Sequence, residues 1–318
     1  MIIEFLLLLA GFAILIKGAD FLVNGSSSVA KKFNVSNLAI GLTVVAFGTS
    51  TPELIVSMIS AMNGRNDASF GNVIGSNNFN ILFILGVSGL IYPLTVQRNT
   101  VKYEVPLSML AILVLYVLVN DEAVFNKPDF LSRLDAVVLL LFFGLFLLYI
   151  YRTMKKTSDL DQGEIKLYAT PVAVGMIVLG LAMLIGGGKL VIDNAVSIAH
   201  RYGLSEKLIG LTILAAGTSL PELATSAVAA YRKNTDIAIG NVVGSNIFNF
   251  FFILGVTGIV HPIPFNPALN FDLKVLGVST ILLMVFMFTI NQRKLDRWEA
   301  LLLLFGYITY TVFLVFND

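Results

Sequence analysis

The sequence predicts an all-α membrane protein of ten transmembrane helices, arranged as two inverted five-helix repeats. Three observations lead to this fold class: an apolar composition, long apolar stretches along the whole chain, and a pattern that occurs in both halves. Hydrophobic residues make up 57% of the 318 residues and charged residues only 13%, whereas soluble domains carry roughly 25% charged residues. The mean hydropathy is +0.85. These values indicate that the bilayer is the solvent of this chain.

The apolar stretches are the first element of the prediction, because a helix of about 20 apolar residues can cross a bilayer. The first stretch has no basic n-region and no small-residue cleavage site, so we interpret it as a retained helix and not as a signal peptide. The net charge of +1 and the lack of a clustered basic face give no sign of a nucleic-acid partner. Without cysteine, disulfides and thiol chemistry are excluded. The predicted spans run approximately over residues 2–24, 37–62, 70–91, 104–120, 134–151, 169–198, 207–230, 238–260, 271–290 and 297–316.

The distribution of basic residues predicts how the chain lies in a cell (inner) membrane. Cytoplasmic loops carry an excess of Lys and Arg, and most of these residues follow odd-numbered spans in this sequence. We therefore expect both termini on the extracytoplasmic side. The polar segment 152–167 is expected to be a cytoplasmic linker between a first five-helix repeat, 1–151, and a second repeat, 168–318.

The two halves are related by a gapless internal repeat. Residues 39–93 align with 208–262 at a constant offset, and about half of the paired positions are identical. The segment GNVIGSNNFN at 71–80, for example, corresponds to GNVVGSNIFN at 240–249. Because each half contains an odd number of spans, the second copy must enter the membrane in the opposite orientation. Inverted repeats are a transporter architecture, with the binding site near the midplane where the repeats meet.

A polar motif interrupts one apolar span in each half. It reads AFGTSTPELIVS at 46–57 and AAGTSLPELATS at 215–226. A glutamate inside a span is costly, so it should face a cavity or a partner and not lipid. The proline cannot donate a backbone hydrogen bond, so we expect a kink that frees the carbonyl of Gly48 or Gly217. Helical spacing places on one face Ala46, Thr49, Ser50 and Glu53 in the first copy, and Ala215, Thr218, Ser219 and Glu222 in the second.

The following span of each half adds a second polar pair at i and i+4. These residues are Ser76 and Asn80 in the first half and Ser245 and Asn249 in the second. If the four polar faces converge, they offer only oxygen ligands, which suit hard cations such as Ca²⁺. Two ionised glutamates would be neutralised by one Ca²⁺ or by two or more Na⁺. Competition of both ions for one site predicts counter-transport, and no cofactor is expected.

Other interpretations of these residues remain open from the sequence alone. The glutamates could form a structural hydrogen bond, and the Ser and Asn pairs could serve only helix packing. A cation channel would use the same ligands, whereas an intramembrane enzyme needs a nucleophile with a positioned base. We interpret the glycines of the second motif as close-packing positions, and we expect Asp20 to pair with Lys17, one turn away. The glycines concerned are Gly71, Gly75, Gly240 and Gly244.

The motif pairs GTSTPEL with GNVIGSNNFN and GTSLPEL with GNVVGSNIFN resemble the two alpha repeats of the sodium/calcium exchanger family, within the cation/calcium antiporter superfamily. The resemblance covers the core of both halves and implies a prokaryotic member that exchanges Na⁺ for Ca²⁺ by alternating access. It also implies that the first and sixth spans slide as a pair over the other eight. The ligands it implies are Glu53 and Glu222 at the centre, side-chain oxygens of Thr49, Ser50, Thr218, Ser219, Ser76 and Ser245, and the backbone carbonyls of Ala46 and Ala215.

Asn249 departs from the archaeal-type pattern, which has an aspartate at this place. With Asn80 already an amide, the site holds two carboxylates, and by the resemblance this argues against K⁺ coupling. The H⁺/Ca²⁺ branch carries an acidic motif in the third span where this chain has serine, so Na⁺/Ca²⁺ exchange is expected and H⁺/Ca²⁺ exchange is the alternative. Ca²⁺ and Na⁺ are the expected substrates. The sequence indicates no protein partner besides the lipid bilayer, and we expect a monomer.

Overall fold

The computed structural model describes residues 2–121, 128–153, 166–202, 215–289 and 292–317, and most of these residues are helical. Four two-residue strands accompany the helices: β1 (Leu94–Thr95), β2 (Phe130–Leu131), β3 (Ile263–Pro264) and β4 (Lys294–Leu295). The helices are α1 (Ile2–Phe33), α2 (Asn37–Thr49), α3 (Thr51–Met62), α4 (Asn66–Ile91), α5 (Thr100–Val119), α6 (Arg133–Thr153), α7 (Thr170–Arg201), α8 (Ala215–Gly217), α9 (Leu220–Tyr231), α10 (Thr235–Val260), α11 (Asn270–Phe286) and α12 (Arg297–Asn317).

Eight helices within the described ranges are long and apolar enough to cross a membrane, and the bent pair α2 and α3 makes a ninth candidate. The sequence predicts ten spans. Part of the seventh, residues 207–214, lies outside the described residues, and α8 and α9 occupy the remainder. Helix α1 continues to Phe33, past its predicted end at residue 24. It continues because Ser26 and Ser28 are buried, so this polar turn packs inside the protein.

Helices α4 and α10 form the centre of the molecule. Every residue from Thr235 to Ile247 on α10 is buried. The outer helices show the opposite pattern, since Leu141 on α6 is 63% exposed and Phe305 on α12 is 65% exposed. Large exposed apolar side chains on the outer helices are what a lipid-facing surface requires. The polar side chains of α10, and Ser76, Asn77, Asn78 and Asn80 on α4, therefore lie in the interior and not toward lipid.

Helices α1 and α7 are long and pack closely in antiparallel directions. A methyl group added at Gly11 would lie 3.2 Å from the carbonyl oxygen of Gly187, and one added at Gly18 would lie 2.9 Å from that of Gly180. As the residue numbers of the contacts increase along α1, those along α7 decrease, so the two helices are antiparallel. Glycine permits the approach because any side chain would push the two backbones apart.

The two strand pairs join the halves of the chain to each other. β1 pairs antiparallel with β4, with Leu94 opposite Leu295. β2 pairs antiparallel with β3, with Leu131 opposite Ile263. Each ribbon therefore contains one strand from the first half and one from the second, so the halves interlock at the ends of their spans.

The close-packing interpretation of Gly240 and Gly244 is confirmed. A methyl group at Gly240 would lie 3.0 Å from the Leu38 carbonyl oxygen, and one at Gly244 would lie 2.9 Å from the Leu42 Cα. Helix α10 thus packs against the backbone of α2. At Gly71 and Gly75, a methyl group would meet nothing within 4 Å among the described residues, so the close-packing interpretation is not confirmed for these two glycines.

The expected ion pair between Asp20 and Lys17 is wrong. Asp20 pairs with Arg232, the residue that follows α9, and Lys17 lies over the ring of Phe21 at 5.4 Å. Asp20 faces α9 and not its own helix neighbour, because this side of α1 packs against the turn between α9 and α10. The same turn makes a second contact with α1, in which the Asn234 amide donates to Ser27 Oγ at 2.9 Å.

Candidate cation-binding site

A helix break in each half positions the first group of polar residues. Helices α2 and α3 meet at Ser50 with a bend of 46°, as the proline in this motif predicts. Ser50 has φ −82° and ψ 7°, and Ser219 has φ −88° and ψ 9°, so both copies have the same backbone. Glu53 and Glu222 lie in the first turns of α3 and α9. A carboxylate is stabilised there by the positive end of the helix dipole.

Serine and glutamate exchange hydrogen bonds between the two halves. Ser50 Oγ donates to Glu222 Oε1 at 2.9 Å, and Ser219 Oγ donates to Glu53 Oε1 at 3.0 Å. Ser76 on α4 is a further donor to Glu53 Oε1, at 3.4 Å. All five side chains are 3% exposed or less. The two carboxylates therefore belong to one buried site that neither half forms alone.

Two asparagines, Asn72 and Asn241, support both helix breaks and were not predicted as site residues. The Asn72 amide donates to the Glu53 carbonyl at 3.2 Å and accepts from the Thr218 hydroxyl at 3.2 Å. Asn241 donates to the Glu222 carbonyl at 3.2 Å and accepts from the Thr49 hydroxyl at 3.1 Å. Thr49 and Thr218 thus lie at the site, with their protons directed to these amides.

The asparagines of the second polar motif, Asn80 and Asn249, each form a hydrogen bond with a further asparagine across the interface of α4 and α10. Asn80 Nδ2 donates to Asn246 Oδ1 at 2.9 Å, and Asn249 Nδ2 donates to Asn77 Oδ1 at 2.8 Å. All four residues are 1% exposed or less. Asn77 and Asn246 are additional residues that sequence reasoning did not include. The sequence indicated them only in that both halves have asparagine at this position of the repeat.

Several buried oxygen atoms of the predicted residues have no hydrogen-bond partner within the described ranges. Leaving a buried polar atom unsatisfied costs about 1–3 kcal/mol, and five of these oxygens belong to residues of one predicted site. Oxygen atoms without a proton donor are what a hard cation binds. The atoms are Glu53 Oε2, Glu222 Oε2, Asn80 Oδ1, Asn249 Oδ1 and Ser245 Oγ.

The charge of the site is also uncompensated. None of the ion pairs in the described part of the chain includes Glu53 or Glu222. Two buried carboxylates without a basic partner are strongly unfavourable when ionised. A divalent cation, or two monovalent ones, would neutralise them within a low-dielectric interior.

The two backbone ligands that the sequence predicts are the carbonyl groups of Ala46 and Ala215. The Ala46 carbonyl accepts the Ser50 N–H at 3.0 Å and lies 3.4 Å from the Thr49 hydroxyl oxygen, so it lies beside the site. Ala215 is the first residue of α8, where the described chain resumes. It precedes Thr218 by one turn, as the sequence pattern requires.

A cavity of about 240 Å³ adjoins the site from one side. It lies between α7 and the first turns of α3 and α9, and its lining includes Pro52, Pro221, Gly188 and Lys189. Thr218 lines it as well and also belongs to the hydrogen-bond network of the site. The cavity extends along α3 to Val56, but along α9 it reaches only Pro221.

The fold and this site define a membrane transporter for hard cations. The sequence matches the family described as sodium/calcium exchanger protein over residues 3–152 and 172–316. The chain belongs to this family and is a cation/calcium antiporter. Its family and fold are those of a membrane exchanger and not those of an enzyme class.

Known relatives share the whole length of the chain. It is 38% identical to the putative antiporter CaxA of Alkalimonas amylolytica, with 100% of both chains covered. It is 29% identical to the sodium/calcium exchanger MaX1 of Methanosarcina acetivorans, with 99% of both covered. A solved structure of the sodium-calcium exchanger NCX_Mj, soaked with 2.5 mM Na⁺ and 1 mM Sr²⁺, superposes with a TM-score of 0.84 at 32% identity, covering 98% of each chain.

Proposed function

We propose that this protein exchanges Na⁺ for Ca²⁺ across a cell membrane by alternating access. Both ions bind in turn at the site of Glu53 and Glu222, where two inverted five-helix repeats meet. The observation that carries this proposal is the reciprocal hydrogen bonding of Ser50 with Glu222 and of Ser219 with Glu53. It brings two carboxylates and several neutral oxygens into one buried site, where the negative charge has no basic partner among the described residues.

Inverted repeats explain why the contacts occur in reciprocal pairs. Asn72 contacts Thr218 while Asn241 contacts Thr49, and the residues of one contact are equivalent to those of the other by the offset between the halves. The antiparallel packing of α1 and α7, the first helices of the proposed repeats 1–151 and 168–318, has the direction that inversion requires. Such repeats provide two equivalent arrangements of one site, each open to one side.

The proposed ligands are the twelve residues that the sequence motifs predict. The carboxylates would neutralise Ca²⁺ or several Na⁺, the hydroxyls and amides would contribute neutral oxygens, and the two alanines would offer carbonyl groups. The complete set is Glu53, Glu222, Thr49, Ser50, Thr218, Ser219, Ser76, Ser245, Asn80, Asn249, Ala46 and Ala215.

Na⁺ is proposed as the coupling ion because most of these ligands are neutral oxygens. Hydroxyl, amide and carbonyl oxygens coordinate a metal cation, whereas a proton would use only the carboxylates. MaX1 and NCX_Mj are named sodium/calcium exchangers, which supports the same choice. H⁺/Ca²⁺ exchange is the alternative, since the two glutamates could also release Ca²⁺ by protonation.

Access from alternate sides would come from movement of α1 and α7 over the remaining helices. Their backbones touch at paired glycines, so they would move as one body. The cavity that Thr218 lines would be the route to the site from one side in this arrangement. On the other side, the ion pair of Asp20 and Arg232 ties α1 to the end of α9. We place both termini outside, segment 152–167 in the cytoplasm, and propose a monomer.

The test is Ca²⁺ uptake into proteoliposomes preloaded with Na⁺, with K⁺-loaded vesicles and vesicles under a pH gradient alone in parallel. Uptake is expected only with internal Na⁺, and the Glu53→Gln variant should abolish it because half of the site charge is removed at constant volume. Asp67→Asn is the matched control, since Asp67 is an exposed carboxylate on α4. Uptake driven by the pH gradient alone would instead establish H⁺/Ca²⁺ exchange. Full uptake by folded Glu53→Gln would overturn the site.

A further inference from the structure

Asn77 and Asn246 are outside the proposed ligand set but contact two of its members. Each lies three residues before a ligand asparagine, on α4 and α10 respectively, and is 1% exposed or less. They occupy equivalent positions of the repeat and are both asparagine, whereas the next position is Asn78 in the first half and Ile247 in the second. Their contacts cross the interface, because Asn77 accepts from Asn249 and Asn246 accepts from Asn80.

These contacts determine which end of each ligand amide is free. The side-chain amide of asparagine has a carbonyl oxygen on one side and an NH₂ group on the other. In both Asn80 and Asn249, the NH₂ group is occupied by the hydrogen bond across the interface, at 2.9 and 2.8 Å. The opposite atom, Oδ1, is buried and has no hydrogen-bond partner in the described part of the chain. The oxygen is therefore the end left for a cation.

The orientation matters because the two ends of an amide act oppositely on a cation. The oxygen attracts it, whereas the NH₂ group repels it and supplies no lone pair. Without a fixed acceptor opposite, the amide could rotate by half a turn at little steric cost. Asn77 is itself held in place, since its Nδ2 donates to the backbone carbonyl of Asn246 at 3.4 Å. Asn246 Nδ2 has no such partner among the described residues.

We propose that Asn77 and Asn246 are positioning residues, which hold the amides of Asn249 and Asn80 with the carbonyl oxygens toward the transported ions. The proposal rests on the proposed function of the site as a cation site. Each half thus orients a ligand of the other half. Asn77, which is held at both ends, is the stronger determinant.

A pair of substitutions at Asn77 separates this role from simple packing. Asn77→Leu removes the acceptor but keeps the number and branching of the side-chain heavy atoms, whereas Asn77→Asp retains an acceptor for the Asn249 NH₂ group. If Asn77 only packs, leucine suits a buried helix interface and aspartate is the more damaging change. If Asn77 positions the amide, leucine is the more damaging change for ion binding. The two interpretations therefore predict opposite orders for the same two variants.

The measurement is Ca²⁺ binding to the purified full-length protein by titration calorimetry, together with the KM and the maximal rate of Na⁺-driven Ca²⁺ uptake. Loss of a residue that orients a metal ligand weakens affinity roughly 10- to 100-fold. We expect this loss in Kd and KM for Asn77→Leu, with the maximal rate changed by less than about threefold, and recovery of affinity in Asn77→Asp. Asn246→Leu should act in the same direction and serves if Asn77→Leu does not fold.

Asn78 provides matched controls, because it is also buried on α4 but donates to the Asp272 carbonyl at 3.1 Å, away from the site. Asn78→Leu should leave Kd unchanged, and Asn78→Asp shows what an added charge alone does. Wild-type Kd in folded Asn77→Leu and Asn246→Leu, or a lower affinity of Asn77→Asp than of Asn77→Leu, would overturn the positioning role. Unchanged Ca²⁺ binding by Glu53→Gln would instead overturn the proposed site itself, so the two failures are distinguishable.

Discussion

Ser219 donates its hydroxyl proton to Glu53 Oε1 at 3.0 Å, although the two residues lie in different halves of the chain. Ser50 precedes Glu53 by three residues, which is the spacing of a capping box within one helix. Its side chain nevertheless makes no cap contact and donates to Glu222 instead. The serine of each half thus donates to the glutamate of the other half instead of capping its own helix, and the two carboxylates lie in one site.

The first prediction concerns these two serines. Ser50→Ala and Ser219→Ala each remove a hydrogen bond to a carboxylate, worth about 1.5–3 kcal/mol when the carboxylate is ionised, and one of the proposed neutral oxygen ligands. We expect the KM for Ca²⁺ to rise about tenfold or more in each variant, measured as Na⁺-driven uptake. Ser279→Ala is the control, because its buried hydroxyl donates only to Val275 in its own helix, at 2.7 Å. Equal KM values in all three variants would contradict the prediction.

The polar helix faces could be predicted because helical spacing and duplication are local properties of the sequence. The exchange of partners could not, since spacing alone favours a contact of Ser50 with Glu53 in the same helix. The pairing of Asp20 with Arg232 was missed for the same reason, as Lys17 was the local candidate. Asn72 and Asn241 carried a usable signal in their identity between the halves, but only the fold shows that each holds the backbone of the glutamate in its own half and accepts from the threonine of the other half.

The second prediction concerns the number of carboxylates. Asn249→Asp would place a third carboxylate beside two that are already buried, and like charges that share a site favour protonation. Protons should then compete with Ca²⁺ at a higher pH, so the acid limb of the uptake profile should move up by roughly one pH unit. The test is uptake between pH 5 and pH 8 in parent and variant. Asn78→Asp carries the same change away from the site, and an equal shift there would refute the assignment of Asn249 to the site.

The third prediction concerns the contact of α1 with α7. A methyl group at Gly180 would lie 2.7 Å from the Leu22 backbone nitrogen, so Gly180→Ala must separate the helices. Overpacking of this kind costs about 1–3 kcal/mol, and we expect a lower midpoint of thermal unfolding in detergent. Gly186→Ala, on the same helix, is the control, because a methyl group there would meet nothing within 4 Å among the described residues. A similar midpoint for both variants would mean that the helices are not in close contact.

The fourth prediction concerns the ion pair of Asp20 and Arg232, which ties α1 to the C-terminal end of α9. The cavity adjoins the N-terminal turn of the same helix, so in the proposed alternating-access mechanism the ion pair would hold closed the side opposite the cavity. Arg232→Gln should therefore favour the arrangement in which the cavity is closed. Because the chain has no cysteine, a single Thr51→Cys substitution in the cavity lining reports whether the cavity is accessible. Labelling by a membrane-impermeant maleimide should slow when Arg232→Gln is added.

The control for this prediction is the ion pair of Arg201 with Glu4, which joins α7 to α1. Both of its partners belong to the pair of helices proposed to move together, so Arg201→Gln should leave the labelling rate of Thr51→Cys unchanged. Reversing the charges, with Asp20→Arg and Arg232→Asp in one variant, should restore the parental rate. An equal effect of Arg201→Gln and Arg232→Gln would show a general loss of stability. An effect specific to Arg232→Gln requires that α1 moves relative to α9, because, among the ion pairs of the described residues, that pair alone joins α1 to the end of α9.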